Sequence, residues 1–331
     1  MSQLAIHRFG PDDADAVAAA LEVFTEAGRH DAPWEHVWLP RSFDVVLRQG
    51  WDGEPPTAYL ATVDSTVVGA GFLHLSQRDN LHLAWTTVVI RPEHRRQGYG
   101  TALFEHLTEE AKAVGRTSIG TDGWESESTL GFAKTVGLDK KSQAIQRRQH
   151  LEELDQALVQ KLYDEAATHA GDYELIRIEG RTPPELVDGM VALVSAINDA
   201  PTDDLDIEDE VFDPERLAAY EESTLARGHT LYRLVARHRG TGELAGHTVV
   251  AVEGNRPTVG HQHDTAVRRE HRGHRLGLLL KAGMLLWLAE VEPQLKTVDT
   301  WNAESNDHMI GVNELLGYRV MARELKFQKA L

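Results

Sequence analysis

Two stretches of the chain carry side chains whose types and spacing suit chemistry. The first is a basic, glycine-containing loop that occurs twice. One copy reads Ile90-Arg91-Pro92-Glu93-His94-Arg95-Arg96-Gln97-Gly98-Tyr99-Gly100. The other, 177 residues further on, reads Val267-Arg268-Arg269-Glu270-His271-Arg272-Gly273-His274-Arg275-Leu276-Gly277. Each follows a strand-like run and leads into a helix-like one. A turn of this kind holds an anion, because the first N–H groups of a helix lack partners within it and its dipole adds positive charge. Glycine lets the anion approach the backbone and permits positive φ. The second stretch, His261-Gln262-His263-Asp264, lies on the strand that enters the second loop. It offers proton acceptors: histidine titrates near neutrality, whereas an aspartate deprotonates an ammonium only after an upward shift. Strand alternation puts His261 and His263 on one face, Gln262 and Asp264 on the other. His-x-His is also a metal-pair spacing, but no third ligand is placed by spacing.

The loops are the clearest part of a longer echo. The same offset recurs at Gly69/Gly246, Arg95/Arg272, Gly100/Gly277 and Trp124/Trp301, so the chain reads as a tandem duplication. A length of 331 residues agrees with two domains, and the period is too long for a solenoid repeat. We expect one domain over 1–150, a helical connector over 151–171 patterned by Leu154, Leu158 and Leu162, and a second domain over 172–331.

The elements that must position the loops follow in the same order in both halves. In the first, a strand at Leu4–Phe9 precedes a helix with Val17, Leu21 and Phe24 on its apolar face. A hairpin then turns at Asp64-Ser65, and a strand at Leu83–Ile90 feeds the loop and a helix to about Val114. In the second, a strand at Tyr173–Ile178 and a helix at Pro184–Ile197 precede a hairpin around Gly240-Thr241-Gly242. A strand ending at Val267, a helix from Leu276, a strand at Thr297–Thr300, a short helix and a last strand at Tyr318–Phe327 follow. Interspersed strands and helices predict an α/β (α+β) fold, in two copies.

With 41% hydrophobic and 26% charged residues, the composition has apolar mass enough for two cores. A net charge of −18 argues against nucleic acid as a partner and suits a cationic one. In so acidic a chain, two basic loops mark where an anion is wanted. Zero cysteines exclude disulfides, thiolate metal sites and cysteine nucleophiles. No apolar run approaches a membrane span and the start lacks a signal-peptide core. We therefore expect a cytoplasmic protein with no membrane partner. The acidic run from Asp203 to Glu210 follows the first helix of the second half, where it either attracts an amine or is a solvated loop. Trp34 and Trp38 occupy the corresponding region of the first half, as core or as pocket wall.

Ile90 followed by Arg95-x-x-Gly98-x-Gly100 at the end of a fourth strand resembles motif A of the GNAT superfamily of acetyl-CoA-dependent N-acetyltransferases. The second half resembles the same family through Thr300-Trp301-Asn302-Ala303-Glu304-Ser305-Asn306 and Leu315-Leu316-Gly317-Tyr318. The layout is similar to that of tandem members such as mycothiol synthase. The resemblance implies two GNAT-like domains, each a mixed, mostly antiparallel twisted sheet flanked by helices. It implies acetyl-CoA as acyl donor without a metal, and direct attack by a primary amine of a small-molecule acceptor. Coenzyme contacts would come from Val88, Val89, Ile90, Arg95, Arg96, Gln97, Gly98, Tyr99, Gly100 and Thr101 in the first half. In the second they would come from Thr265, Val267, Arg272, Gly273, His274, Arg275, Leu276 and Gly277, with Asn302 and Asn306.

Two departures from the family pattern matter. Arg275 stands where the first copy has Gly98, and either blocks or pairs with a phosphate. The family's general-acid tyrosine, four residues before the glycine of its "GF" segment, falls on Asn313 and Ala133, and neither can act as that acid. The polar strand favours the second half as catalytic, with His261, His263 and Asp264 as candidates for the base. The lost acid positions favour the other reading, a non-catalytic acyl-CoA sensor or interaction protein.

Overall fold

A computed structural model describes residues 4–331, so the reading of the first three residues lies outside it. The chain forms two compact units, and their limits differ from the sequence halves. One comprises residues up to Ala144, with Thr202–Asp209 and Ala322–Leu331. The other comprises Ile145–Pro201 and Glu210–Met321.

In the first unit the elements are β1 (Leu4–Phe9), α1 (Ala14–Asp31), α2 (Pro40–Gln49), β2 (Thr57–Val63), β3 (Thr66–His74), β4 (Leu83–Ile90), α3 (Tyr99–Ala113), β5 (Ser118–Trp124) and α4 (Glu127–Thr135). Strand β6 (Asp139–His150) begins here and ends in the second unit. The second unit continues with α5 (Gln156–Ala167), β7 (Tyr173–Glu179), α6 (Val187–Val194), α7 (Pro214–Ala226), β8 (His229–His238), β9 (Leu244–Glu253), β10 (Val259–Val267), α8 (Leu276–Val291), β11 (Thr297–Ala303) and α9 (Asp307–Leu315). The last strand, β12 (Arg319–Ala330), returns to the first unit.

Within the first unit the strands are ordered β1-β2-β3-β4-β5-β12, and within the second β6-β11-β10-β9-β8-β7. The pairs β1–β2, β2–β3, β3–β4, β5–β12, β7–β8, β8–β9 and β9–β10 are antiparallel, and β4–β5 and β10–β11 are parallel. The β2–β3 turn has Asp64 and Ser65 both at positive φ, the two-residue turn whose twist suits a hairpin.

The first sheet buries Ala84, Leu325 and Phe327 against Leu103, Phe104 and Leu107 of α3. Its other face packs Leu60, Ala70 and Phe72 on Val23 of α1 and Phe43 of α2. Leu325 and Phe327 belong to the final strand, which the sequence order assigned to the second half. The same holds for the acidic run. Its Asp206 N–H donates to Gln328 Oε1 (2.8 Å) and Glu208 bonds with Asn80, all within the first unit.

The expected connector is an integral helix of the second unit. Val159, Leu162 and Ala166 give α5 an apolar stripe that packs on α8. Helix α8 is apolar nearly all round (Leu276-Gly-Leu-Leu-Leu-Lys-Ala-Gly-Met-Leu-Leu-Trp-Leu), as a helix covered on both sides must be. Helices α6 and α7 cover the opposite face through Met190, Leu193 and Leu217. Among the described residues, no helix is long and apolar enough to cross a membrane.

Candidate functional site

Both loops take the same backbone path. In the first, His94 N–H bonds to Arg91 O, Arg95 N–H to Pro92 O, and Ala102 N–H to Gly98 O. In the second, His271, Arg272 and Leu279 N–H bond to Arg268, Arg269 and Arg275 O. Between these bonds, the N–H groups of residues 96–101 and 273–278 donate to no other described group, which leaves a run of donors at each helix start. Each loop makes its bend with two residues at positive φ: Arg96 (63°) and Gly98 (84°) in one, Gly273 (87°) and Arg275 (55°) in the other. Glycine and arginine have exchanged places. Arg275 therefore does not distort the loop; it adopts the left-handed conformation of Gly98, a conformation that costs a side chain about 1–2 kcal/mol.

The repeated arginines hold the loop. Arg95 Nε donates to Ile90 O (3.0 Å), while its two terminal nitrogens grip both carboxylate oxygens of Asp31 at 2.7 Å. Arg272 repeats this with Val267 O (3.2 Å) and Asp199 (2.6 Å), and Arg269 pairs with Asp199 as well. Burial opposes ionisation of Asp31, but its bonds from Arg95 and His30 outweigh that and lower its pKa; the Arg269 hydrogen bond does the same for Asp199. Arg91 is taken up by Glu22 and Glu26. Among the described residues Arg96 and Arg275 have no carboxylate partner, so each loop presents one uncommitted guanidinium.

Beside each loop the parallel strands part. Pairing of β4 with β5 runs from Leu83↔Ser118 to Thr86↔Thr121, and that of β10 with β11 from Val259↔Thr297 to His261↔Asp299. Beyond these points residues 87–90 and 262–267 keep only their antiparallel neighbour. This is the wedge that precedes the loops, and Val88, Val89, Ile90, Thr265 and Val267 lie along it. The pairing also corrects the echo: by strand register Gly120 corresponds to Asp299, and therefore Asp122, not Trp124, to Trp301.

The two wedges differ in one respect. Strand β4 meets β3 in unbroken register, whereas β10 shifts against β9 between Gln262 and Thr265. The shift sets His263 and Asp264 opposite Val249, a bulge. Gln262 Nε2 reaches both Thr248 Oγ1 (3.0 Å) and Thr265 Oγ1 (3.4 Å), so Gln262 and Thr265 share a face although three residues apart. His263 and Asp264 are left together on the other. Simple alternation, which grouped Asp264 with Gln262, fails here because the strand carries one extra residue.

Around the bulge lies a dense polar cluster. His263 Nδ1 is 2.6 Å from the Tyr220 hydroxyl. Burial raises the Tyr220 pKa, so the phenol keeps its proton and donates; burial, with His261 and Arg227 adding, holds His263 neutral far below the usual range. The Asp264 carboxyl is hemmed in by protein yet has an exposed edge, as expected of a group lining a cleft. Burial raises its pKa and Arg233 opposes. Arg233 is anchored by Glu221 (2.6 Å) and Thr182 (2.5 Å). His261 Nε2 bonds to Glu253 Oε1 (2.7 Å). Burial alone would raise the Glu253 carboxyl, but bonds from His261 and Arg256 bring it down to about 2. With Nε2–H directed to a carboxylate, Nδ1 is the basic nitrogen of His261.

Several residues of the expected contacts also have structural work. Asn302 Oδ1 accepts from Asn313 Nδ2 (2.7 Å), and Asn306 caps α9 by accepting from Met309 N–H (3.3 Å). Leu276 and Gly277 are buried, while Gln97, Gly98, Gly273, His274 and Arg275 are exposed. A Cβ at Gly100 would meet Ile90 and Phe132 at 3.5 Å, and Tyr99 and Thr101 are half-buried beside it. The partners Tyr220, Glu221 and Glu253 were not anticipated. A signal for α7 was present in Asp213-Pro214-Glu215: Asp213 caps the helix through Arg216 N–H (2.7 Å) with proline in the first turn. Recognising it would have brought Tyr220 and Glu221 into view.

Residues 23–137 match the acetyltransferase (GNAT) family. No match is found among curated protein sequences. Among solved structures the chain is similar to a tandem GNAT protein from the clavulanic acid biosynthesis pathway, without acetyl-CoA (25% identity, TM-score 0.83, covering 99% of this chain and 98% of that one). It shares the fold of a GCN5-related N-acetyltransferase from Sphaerobacter thermophilus (15%, TM-score 0.65, 99% and 95%). It also shares that of the GCN5-related glucosamine N-acetyltransferase region of a fungal multi-domain β-N-acetylglucosaminidase (13%, TM-score 0.71, 99% and 38%).

Proposed function

The chain belongs to the GNAT acetyltransferase family, and from that premise we propose that it transfers an acetyl group from acetyl-CoA to a primary amine of a small cationic acceptor, with the chemistry in the second unit. The observation that carries this reading is the β10 bulge, which brings His263 and Asp264 to one face at the mouth of the wedge. The loops suit the coenzyme's pyrophosphate. A run of unbonded N–H groups, two left-handed residues and one exposed arginine form a concave donor surface. When bound, acetyl-CoA supplies the activated acetyl thioester. The chain's own part is to orient and to move a proton.

In this reading Asp264 accepts the proton that an ammonium must lose before its nitrogen attacks, and its raised pKa improves it as a base. Tyr220 fixes the ring of His263, whose remaining N–H faces away from the phenol and orients the acceptor. Glu253 does the same for His261. Asn313, buried and bonded to Asn302, supplies no proton to a leaving thiolate, which water protonates.

That same asparagine favours the second reading, an acyl-CoA sensor without turnover. Release of coenzyme A thiol, followed with a panel of primary amines, separates the two. Turnover that drops in Asp264→Asn and rises with pH through a midpoint above the ordinary carboxylate range supports transfer. Saturable acetyl-CoA binding without thiol release from any amine supports the sensor.

A further inference from the structure

The first unit contains a group of side chains that the proposed chemistry leaves unused. On the α1–α2 face of its sheet, the indole of Trp85 (β4) lies flat over Gly120, where a Cβ would fall 2.4 Å from the ring. Its Nε1–H donates to Asp122 Oδ1 at 2.6 Å. Asp122 is the first residue of β5 beyond the last pairing with β4, so its carboxyl stands where the wedge opens. Trp34, from the segment between α1 and α2, packs edge-on to Trp124 with ring centroids 5.8 Å apart. Register of β12 on β5 sets Lys326 opposite Asp122 and Glu324 opposite Trp124. The edge of Asp122 is exposed and the three indoles and Glu324 are half-buried, so solvent reaches the group.

We propose that the first unit holds an amine site of its own, in which Trp34, Trp85 and Trp124 wall a cationic group and the carboxylates of Asp122 and Glu324 face it.

Three separate features agree on such a ligand. Indole faces attract cations, tryptophan best of the aromatic side chains. The two carboxyls carry more negative charge than Lys326 offsets. The position is also apt: about 17 Å of strand separates Trp85 from the loop at Ile90, the reach of an extended pantetheine arm held by that loop. Burial, then the neighbouring Asp122, pushes Glu324 up to about 7, with Glu35 adding and Lys326 opposing. Burial likewise raises Asp122, against the Trp85 hydrogen bond and Lys326. A carboxyl poised near neutrality ionises when a cation is set beside it. Glu324 reaches this place only because the final strand of the chain belongs to the first unit.

The test is titration calorimetry of the full chain with agmatine, spermidine and tryptamine, each alone, at pH 7 in phosphate and in Tris. At least one amine should bind saturably. A bound cation favours ionised Glu324, which at pH 7 is about half protonated, so binding should release up to about half a proton. Asp122→Asn with Glu324→Gln should weaken binding more than tenfold and abolish the release. The milder Trp85→Phe should weaken it threefold or more, and decides the matter if the double variant fails to fold. Binding kept in His263→Ala with Asp264→Asn places the site in the first unit, whether or not the second unit is catalytic. No saturable binding by any of the three amines, or binding lost in the second-unit variant and kept in the first-unit one, overturns the proposal.

Discussion

The two phosphate-type loops and the two wedges beside them have diverged in different ways. The loops keep one backbone while exchanging residues: glycine and arginine trade places at the two left-handed positions, and every flanking hydrogen bond is preserved. The wedges keep one topology and differ in substance. In the second unit a bulge turns His263 and Asp264 into a cluster with Tyr220 and Arg233. In the first an unbroken strand presents Trp85 to Asp122. A main-chain function survives side-chain exchange, whereas a site built from side chains is remade by one inserted residue.

The sharpest way to break this comparison is to disable each side-chain site in turn and follow thiol release. His263→Ala with Asp264→Asn should lower kcat by about 10²–10⁴-fold. A larger loss in Asp122→Asn with Glu324→Gln would move the principal chemistry to the first unit. The loops come next. Gly98→Val forces a β-branched residue to φ 84° and should weaken acetyl-CoA binding at the first loop about tenfold or more. Arg275→Gly should change binding at the second loop by less than about threefold, because the backbone already has its shape. A tenfold loss there would show that the guanidinium, not the main chain, holds the phosphate.

Acid should separate the units further. Burial lowers His229 to about 4 and His247 to about 3, and holds His263 well below its ordinary value, all in the second unit. The first has His74, at about 4, and Glu324, raised to about 7. A histidine with a depressed folded pKa gives stability that is full above pH 6.5 and lost as pH falls toward the folded value. Each costs up to about 1.4 kcal/mol per pH unit. The raised carboxyl works in the opposite sense, its contribution being full below pH 4.5 and lost as pH rises through about 7. Hydrogen exchange between pH 6.5 and 4.5 should therefore show the second unit weakening faster; equal slopes would contradict the burial of its histidines. The smallest effects belong to the loop anchors. Arg95→Ala and Arg272→Ala should each lower stability by about 0.5–1 kcal/mol, as partly exposed pairs do. Thermal unfolding of the two variants would measure it.

How far these features were legible in the sequence depends on how local they are. Leu83–Ile90, the Asp64-Ser65 hairpin and the two loops were readable because periodicity, turn residues and glycine act within a few positions. The helix at 156–167 is legible as a helix but not as part of the second unit, since its stripe of Val159, Leu162 and Ala166 does not name the surface it covers. The bulge was invisible, for nothing in His261-Gln262-His263-Asp264 marks an extra residue until β9 is beside it. The echo of Trp124 and Trp301 was a coincidence of offset that strand register undoes.

By itself, then, the sequence determined two copies of an α/β unit, an anion-holding turn in each and their family resemblance, because backbone geometry is written in local residue types. Only the tertiary structure decided which groups meet. It brought Glu324 near Asp122, set Tyr220 on His263, and gave Arg95 and Arg272 the carboxylates through which they clamp the loop. Contacts of that kind depend on register and strand order, which side chains far apart in the chain settle together.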